Sequence, residues 1–273
     1  MVQNDFDTQY SLLLEASIDL VRRANGDLQE TLMADVHRES MPQIPVWRLH
    51  IGATSTFLGV IQCLRSRHSS IGAFSLLRGL IEAWTHLYFI ADNSEDDTPA
   101  IRSIRFEAGV LNEWASVEKA MNPELDFAKL QKDNNDKILR LCLANGRNNL
   151  PKMRTYNQVK PTLDKMAQSE TLRSLDIFHQ ATSIAVHMSA TDYLLKSTDT
   201  GVTVIWASPA LRCAWLQLAI VFFDYLTISA LSCVPESTPN AVIKALHERW
   251  QEIYNDPLLV ETLWEEKSKR SDE

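Results

Sequence analysis

The sequence predicts an all-α protein, an irregular multi-helix bundle of about eight to ten helices with at most one small β-hairpin. Three observations carry this. Long apolar segments repeat with a 3.6-residue period along most of the chain. Glycine is scarce, at 8 of 273 residues. Alternating strand patterns are nearly absent, the one β-like run being Gly201-Val-Thr-Val-Ile-Trp206.

The first helix is expected over about Asp5 to Arg38, with a break at Asn25-Gly26, and Pro42 and Pro45 mark the linker after it. A second helix spans about Val46 to Arg67 and a third about Ser69 to Ala91. Small residues cluster on both, Gly52, Ala53, Ser55 and Gly59 on one, Gly72, Ala73, Ser75 and Gly79 on the other. Small side chains let helix axes approach, so the two are expected to pack as a tight antiparallel hairpin. Thr98-Pro99 reads as an N-cap followed by an N1 proline, opening a fourth helix that runs to about Met121. Another follows from about Glu124 to Ala144, stopped by Asn145-Gly146. Arg147 to Tyr156 is basic and irregular and reads as a solvated connector in preference to a phosphate contact. Helices are then expected over about Pro161 to Gln168, Thr171 to Leu195, Pro209 to Val234 and Pro239 to Asn255, with a short one from Asp256-Pro257. Residues 1–264 read as a single helical domain and 265–273 as a charged flexible tail.

Composition narrows the function classes. The net charge is -8 and the pI about 5.4, which argues against a broad grip on double-stranded DNA. Cys63, Cys142, Cys213 and Cys233 form no CxxC pair and are expected to be reduced, and with no apolar leader at the N-terminus a cytoplasmic protein is expected. The apolar run after Pro209 carries Arg212, Gln217 and Asp224. A charge at a bilayer centre costs about 2.5–3.5 kcal/mol on the mildest scale. A buried core helix is therefore expected there, and no membrane partner.

Two apolar helices carry polar stripes. On the third helix Arg78, Glu82 and His86 stand at i, i+4 and i+8, one turn after Ser75, which puts them on one face. On the helix after Thr171, Arg173, Asp176, His179, Ser183 and His187 recur every three or four residues. Charges on such helices must be paired or face water. In one reading the stripes are core architecture, with Arg78–Glu82 an ion pair that fixes helix register. In the other they line a central pocket at Arg78, Glu82, His86, Ser183 and His187, where Arg78 orients an anionic group, Glu82 holds Arg78 or a histidine, and His187 transfers a proton. Both stay open on the sequence. No HExxH, di-iron pattern, nucleophile elbow or glycine-rich phosphate loop is present, so no metal and no cofactor is expected.

Leu76-Leu-Arg-Gly-Leu-Ile-Glu-Ala83 and Ser183-Ile-Ala-Val-His187 resemble the Leu-Leu-Arg-x-Leu-x-Glu-Ala and Ser-x-x-x-His helices of a bacterial helical family of unknown function. The resemblance covers about Val46 to Val234 and implies a helical fold without an assigned activity. Arg173-Ser-Leu-Asp-Ile-Phe-His179 is similar to the arginine–histidine motif of the HEPN ribonucleases of defence and toxin systems, with Ser174 where that family usually has a different polar residue. That resemblance implies RNA cleavage in a stress or phage-defence setting, with Arg173 and His179 as an alternative nuclease pair. The expected partners are RNA in the enzyme reading and a second copy, a homodimer, in the non-catalytic interaction reading.

Overall fold

The computed structural model describes residues 43–65, 70–92, 97–154, 159–168, 195–198, 201–204 and 209–233, with isolated positions between 11 and 26 and between 175 and 182. The described residues form α1 (Gln43–Arg65), α2 (Ser70–Ala91), α3 (Pro99–Met121), α4 (Phe127–Ala144), α5 (Val159–Met166) and α6 (Pro209–Ser232). Between α5 and α6 lies a short antiparallel pair, β1 (Leu195–Thr198) and β2 (Gly201–Val204), with Leu195 opposite Val204. The all-α class stands. Six helices, not eight to ten, are present among the described residues. The rest of the expected count falls on the first helix, on the segment after Thr171 and on the chain beyond Thr238, which lie largely or wholly outside them. Leu195, expected to end a helix, instead begins β1.

Close packing of α1 on α2 follows from the small residues. A Cβ at Gly79 would sit 3.5 Å from Thr56 Cγ2, one at Gly59 3.0 Å from Leu76 Cδ1, and one at Gly72 3.3 Å from Cys63 Sγ. Residue numbers fall on α2 as they rise on α1, so the hairpin is antiparallel as expected. Helix α6 completes the core. It runs antiparallel to α1, with the Phe57 and Phe223 rings stacked at 4.7 Å and His50 Nε2 3.2 Å from Thr227 Oγ1. It runs parallel to α2, through Phe74–Trp215 edge-on at 4.1 Å and Trp84–Tyr225 stacked at 5.1 Å. Leu77, Leu80, Ile81, Leu87, Leu216, Phe223 and Leu226 are fully buried in this three-helix cluster, and Leu14 and Val21 pack against it.

The stretch Trp215–Ser232 of α6 is long and apolar enough to cross a membrane, but 61% of it is buried inside the fold, as a core helix would be. Buried Arg212 donates from Nε to Leu64 O at 2.5 Å and from Nη2 to Arg65 O at 3.1 Å. It thus supplies donors to the last carbonyls of α1, which have no partner within their own helix. All four cysteines are free thiols, and burial pushes that of Cys233 up to about 12.

Helices α3 and α4 form a second hairpin around Ile101, Ile104, Ala108, Ile138 and Cys142. Thr98 Oγ1 caps α3 by accepting from Ile101 N at 3.3 Å, with Pro99 at the first helical position, as the sequence predicts. Helix α4 starts at Phe127 rather than near Glu124, because Asp126 is the cap and accepts from Lys129 N at 3.0 Å. Asn145-Gly146 ends it, Gly146 taking φ +75° and Arg147 N donating back to Cys142 O at 2.9 Å. Arg48 Nη1 donates to both Glu107 oxygens at 3.0 Å, and Lys137 Nζ lies 3.6 Å from Oε1, joining α1, α3 and α4.

The segment 151–154 lies across α3. Arg154 N donates to Arg105 O at 2.9 Å, and Arg105 Nε donates to Lys152 O at 2.9 Å. A Cβ on Gly109 would stand 1.9 Å from Arg154 O, a backbone atom with little freedom to give way. Gly109→Ala is therefore expected to cost about 1–3 kcal/mol or more. The thermal midpoint should fall by about 2–4 °C per kcal/mol. A melt that matches wild type would show that this close approach is not required.

Candidate functional site

Helix α2 is buried along most of its length, but its Ser75–Arg78–Glu82–His86 stripe stays partly open. Arg78 Nε donates to Glu82 Oε1 at 2.7 Å, the i,i+4 pair that the spacing predicts. The same Oε1 lies 3.7 Å from His179 Nε2. The side chains are 15% (Arg78), 23% (Glu82) and 14% (His179) exposed, so the three form a half-buried cluster that solvent still reaches. His179 is held on a helical turn, its carbonyl accepting from Thr182 Oγ1 at 3.0 Å. One carboxylate thus faces a guanidinium and an imidazole together, and the two stripes do meet, at Glu82 and His179.

His86, one turn further along α2, faces a different partner. Arg154 Nε donates to its Nδ1 at 3.1 Å, and its ring lies 4.9 Å from that of Phe106. Burial, then the Arg154 charge, lower its pKa to about 4, against a smaller opposing pull from Glu82. His86 is therefore neutral at pH 7 and acts as an acceptor. Arg154 itself is only 4% exposed. It also donates from Nη2 to Thr162 Oγ1 at 3.0 Å and lies over Phe89, 3.9 Å from the ring centroid. The expected solvated connector is thus corrected for Arg147 and Arg154. Arg147 Nη1 donates to Asp97 Oδ1 at 2.5 Å, and Arg105 Nη1 to Oδ2 at 2.9 Å. Burial raises the Asp97 carboxyl, but the hydrogen bonds and charges of the two arginines outweigh it and hold it below the usual carboxylate range.

Arg173, Asp176, Ser183 and His187 lie outside the described residues. No three His, Cys, Asp or Glu side chains converge among the described residues. Sequence reasoning missed Arg154 and His50. Arg154 gives no periodic signal, because its partners are 8 and 68 residues away in sequence. His50 sits on the buried face of α1, 1% exposed, with buried Thr54 one turn further on. Thr227 Oγ1 donates its own hydrogen to Phe223 O at 2.9 Å, so it accepts from His50 Nε2–H.

The fold and this cluster define an all-α protein with a half-buried Arg–Glu–His site on its central hairpin. Residues 43–201 match the family of unknown function DUF5677, and the chain belongs to that family. No curated protein and no solved structure is significantly similar to the chain. The match spans α1 to the start of β2 and takes in Leu76–Ala83 and Ser183–His187, the segments on which the resemblance rests. No match to the HEPN ribonucleases accompanies it.

Burial lowers the His50 pKa from 6.5 to about 4. The unfolded chain binds this proton below pH 6.5 and the folded chain does not until about pH 4. The stability that neutral His50 provides is present above pH 6.5 and is lost as pH falls toward 4, on the order of 3 kcal/mol over that window. His50→Gln is expected to flatten this part of the denaturation profile. Parallel wild-type and variant slopes between pH 6.5 and 4 would refute the assignment.

Proposed function

We propose that Arg78, Glu82 and His179 form an acid–base and anion-binding site that cleaves single-stranded RNA in a bacterial stress or phage-defence setting. The observation that carries the reading is Glu82 Oε1, 2.7 Å from Arg78 Nε and 3.7 Å from His179 Nε2. A carboxylate placed between a guanidinium and an imidazole orients both and stabilises the imidazolium that forms when the histidine takes a proton. Arginine matches phosphate geometry, and partial burial strengthens the pairing. RNA carries its own nucleophile, so a base and a phosphate-binding cation suffice to start the reaction. His179 takes the proton of a ribose 2′-hydroxyl. The 2′-oxygen bonds to the adjacent phosphorus while the bond to the 5′-oxygen breaks. The leaving oxygen gains a proton from water, giving a 2′,3′-cyclic phosphate and a 5′-hydroxyl. The Arg173-to-His179 spacing in the sequence is what points to RNA as substrate, and Arg173, Ser183 and His187 lie outside the described residues.

A second reading has its own observation. Ile44, Trp47, Ile51 and Leu58 on α1 are 38%, 36%, 42% and 44% exposed and recur at i, i+3, i+7 and i+14. A stripe with that spacing suits a second helix, and it favours a non-catalytic interaction protein that forms a homodimer.

In the enzyme reading, His179→Ala lowers cleavage of total RNA by about 10²-fold or more while melting like wild type. Equal cleavage by both proteins removes that reading. In the interaction reading, light scattering gives the mass of a dimer and Ile51→Glu returns a monomer. A wild-type monomer at high concentration removes the homodimer.

A further inference from the structure

Away from the cluster, α3 and α4 enclose a cleft of about 110 Å³. Each helix lines it with residues at i, i+3, i+4 and i+7, Ala108 to Ala115 on one side and Gln131 to Ile138 on the other. Buried Ala108, Ala115 and Ile138 form its floor, the two alanines being too small to fill the space, and four carboxamides stand around it, Asn112, Gln131 and Asn135 at its exposed rim and Asn134 half-buried. Asn134 Nδ2 donates to Leu111 O at 3.4 Å, which closes one edge. Asparagine is a poor residue inside a helix, and two adjacent ones at mid-helix oppose the local propensity of α4. Met153 closes one end, and no charged side chain lines the cleft.

We propose that this cleft binds the edge of an unstacked pyrimidine base. A carboxamide presents a donor and an acceptor side by side, as the edge of a base does, and Asn and Gln pair with bases through both. Uncharged walls suit a neutral ring. A closed cavity of roughly 150 Å³ accepts benzene, so a cleft of about 110 Å³ that is open on one side takes the edge of one six-membered ring, the rest of the ring standing in its mouth, and is too small for a fused purine. The cleft is linked to α2 through the chain itself. Met153 lines it, and the next residue, Arg154, donates to His86 on the same stripe as Glu82. The base has two sources, a free nucleoside or a single-stranded RNA. The proposal does not depend on whether the cluster cleaves RNA.

Titrating the full chain with uridine, cytidine and a labelled oligouridylate tests it, with adenosine and guanosine as comparison. Saturable pyrimidine binding is expected, weakened by about tenfold or more in Asn112→Ala/Asn135→Ala, the least that losing a two-point carboxamide contact costs. Both asparagines are exposed, so this variant is expected to fold, which a melt checks. Ala115→Leu, which fills the cleft, should weaken binding similarly. Binding of the free nucleosides assigns the small-molecule source, and binding of the oligonucleotide alone assigns RNA. His179→Ala retains the binding, so a failed cleavage test leaves this proposal standing and a failed binding test leaves the cleavage test intact. The proposal is overturned if no pyrimidine ligand binds saturably, if the asparagine variant binds as wild type does, or if purine nucleosides bind equally well.

Discussion

The last carbonyls of α1 and α2 point into the fold, and two buried arginines supply donors to them. Arg212 on α6 reaches Leu64 O and Arg65 O, and Arg102 on α3, with no exposed surface, donates from Nε to Ile90 O at 3.1 Å. Arginine suits this task because it cannot lose its charge and offers five donors in a rigid fork. A cation at a helix C-terminus also meets the negative end of the helix dipole. Bringing a guanidinium into a dry core is expensive unless hydrogen bonds meet it there. The contacts are therefore demanding about position. They set where α6 lies along α1 and where α3 leaves the end of α2.

With α3 docked in this way, the chain after α4 has a surface to follow. Gly109 lets the backbone of Arg154 touch α3, and Arg105 and Arg147 share Asp97, so both ends of the connection are tied to α3. Arg105 and Arg154 both lie near the Phe89 ring, at 5.1 and 3.9 Å, which brings α2 into the same arrangement. Arg154 then fixes His86 and Thr162, so one side chain couples α2 to α5. Through these long-range bonds the loop ties α3 to the polar face of α2.

What could be read from the sequence is what local chemistry decides. Thr98-Pro99 and Asn145-Gly146 work through neighbours three or four residues away, and both appear where their residue types place them. The glycines of α1 and α2 predict close approach because only small side chains permit it. The common face of Arg78, Glu82 and His86 follows from helical geometry alone, but their partners do not. Periodicity placed all three toward one pocket, whereas Glu82 meets His179 and His86 meets Arg154 across 68 residues of sequence. Arg147–Arg154 looked like a solvated connector because basic loops usually are, and no local signal announces that Phe89 and His86 wait beneath it. His50 is concealed for the same reason, its hydroxyl partner lying 177 residues away.

Magnitudes separate the polar groups that build the fold from those it leaves available. Arg102, Arg154 and Arg212 are 0%, 4% and 8% exposed, and each bonds an atom contributed by another element. Truncating any of them would strand polar groups in the interior, so their retention is explained by structure alone. The Arg78–Glu82 pair is different. An i,i+4 ion pair on a partly exposed helix face stabilises by only about 0.2–0.5 kcal/mol. Apolar side chains on that face, continuous with the buried remainder of α2, would stabilise by about 1.5–3 kcal/mol each if fully covered. Stability alone would therefore favour leucines at positions 78 and 82. A charged pair there, with His179 alongside, gives up packing energy and leaves polar groups that solvent can reach. That balance is the physical reason to seek the function at Glu82 and to treat the fully buried arginines as the frame around it.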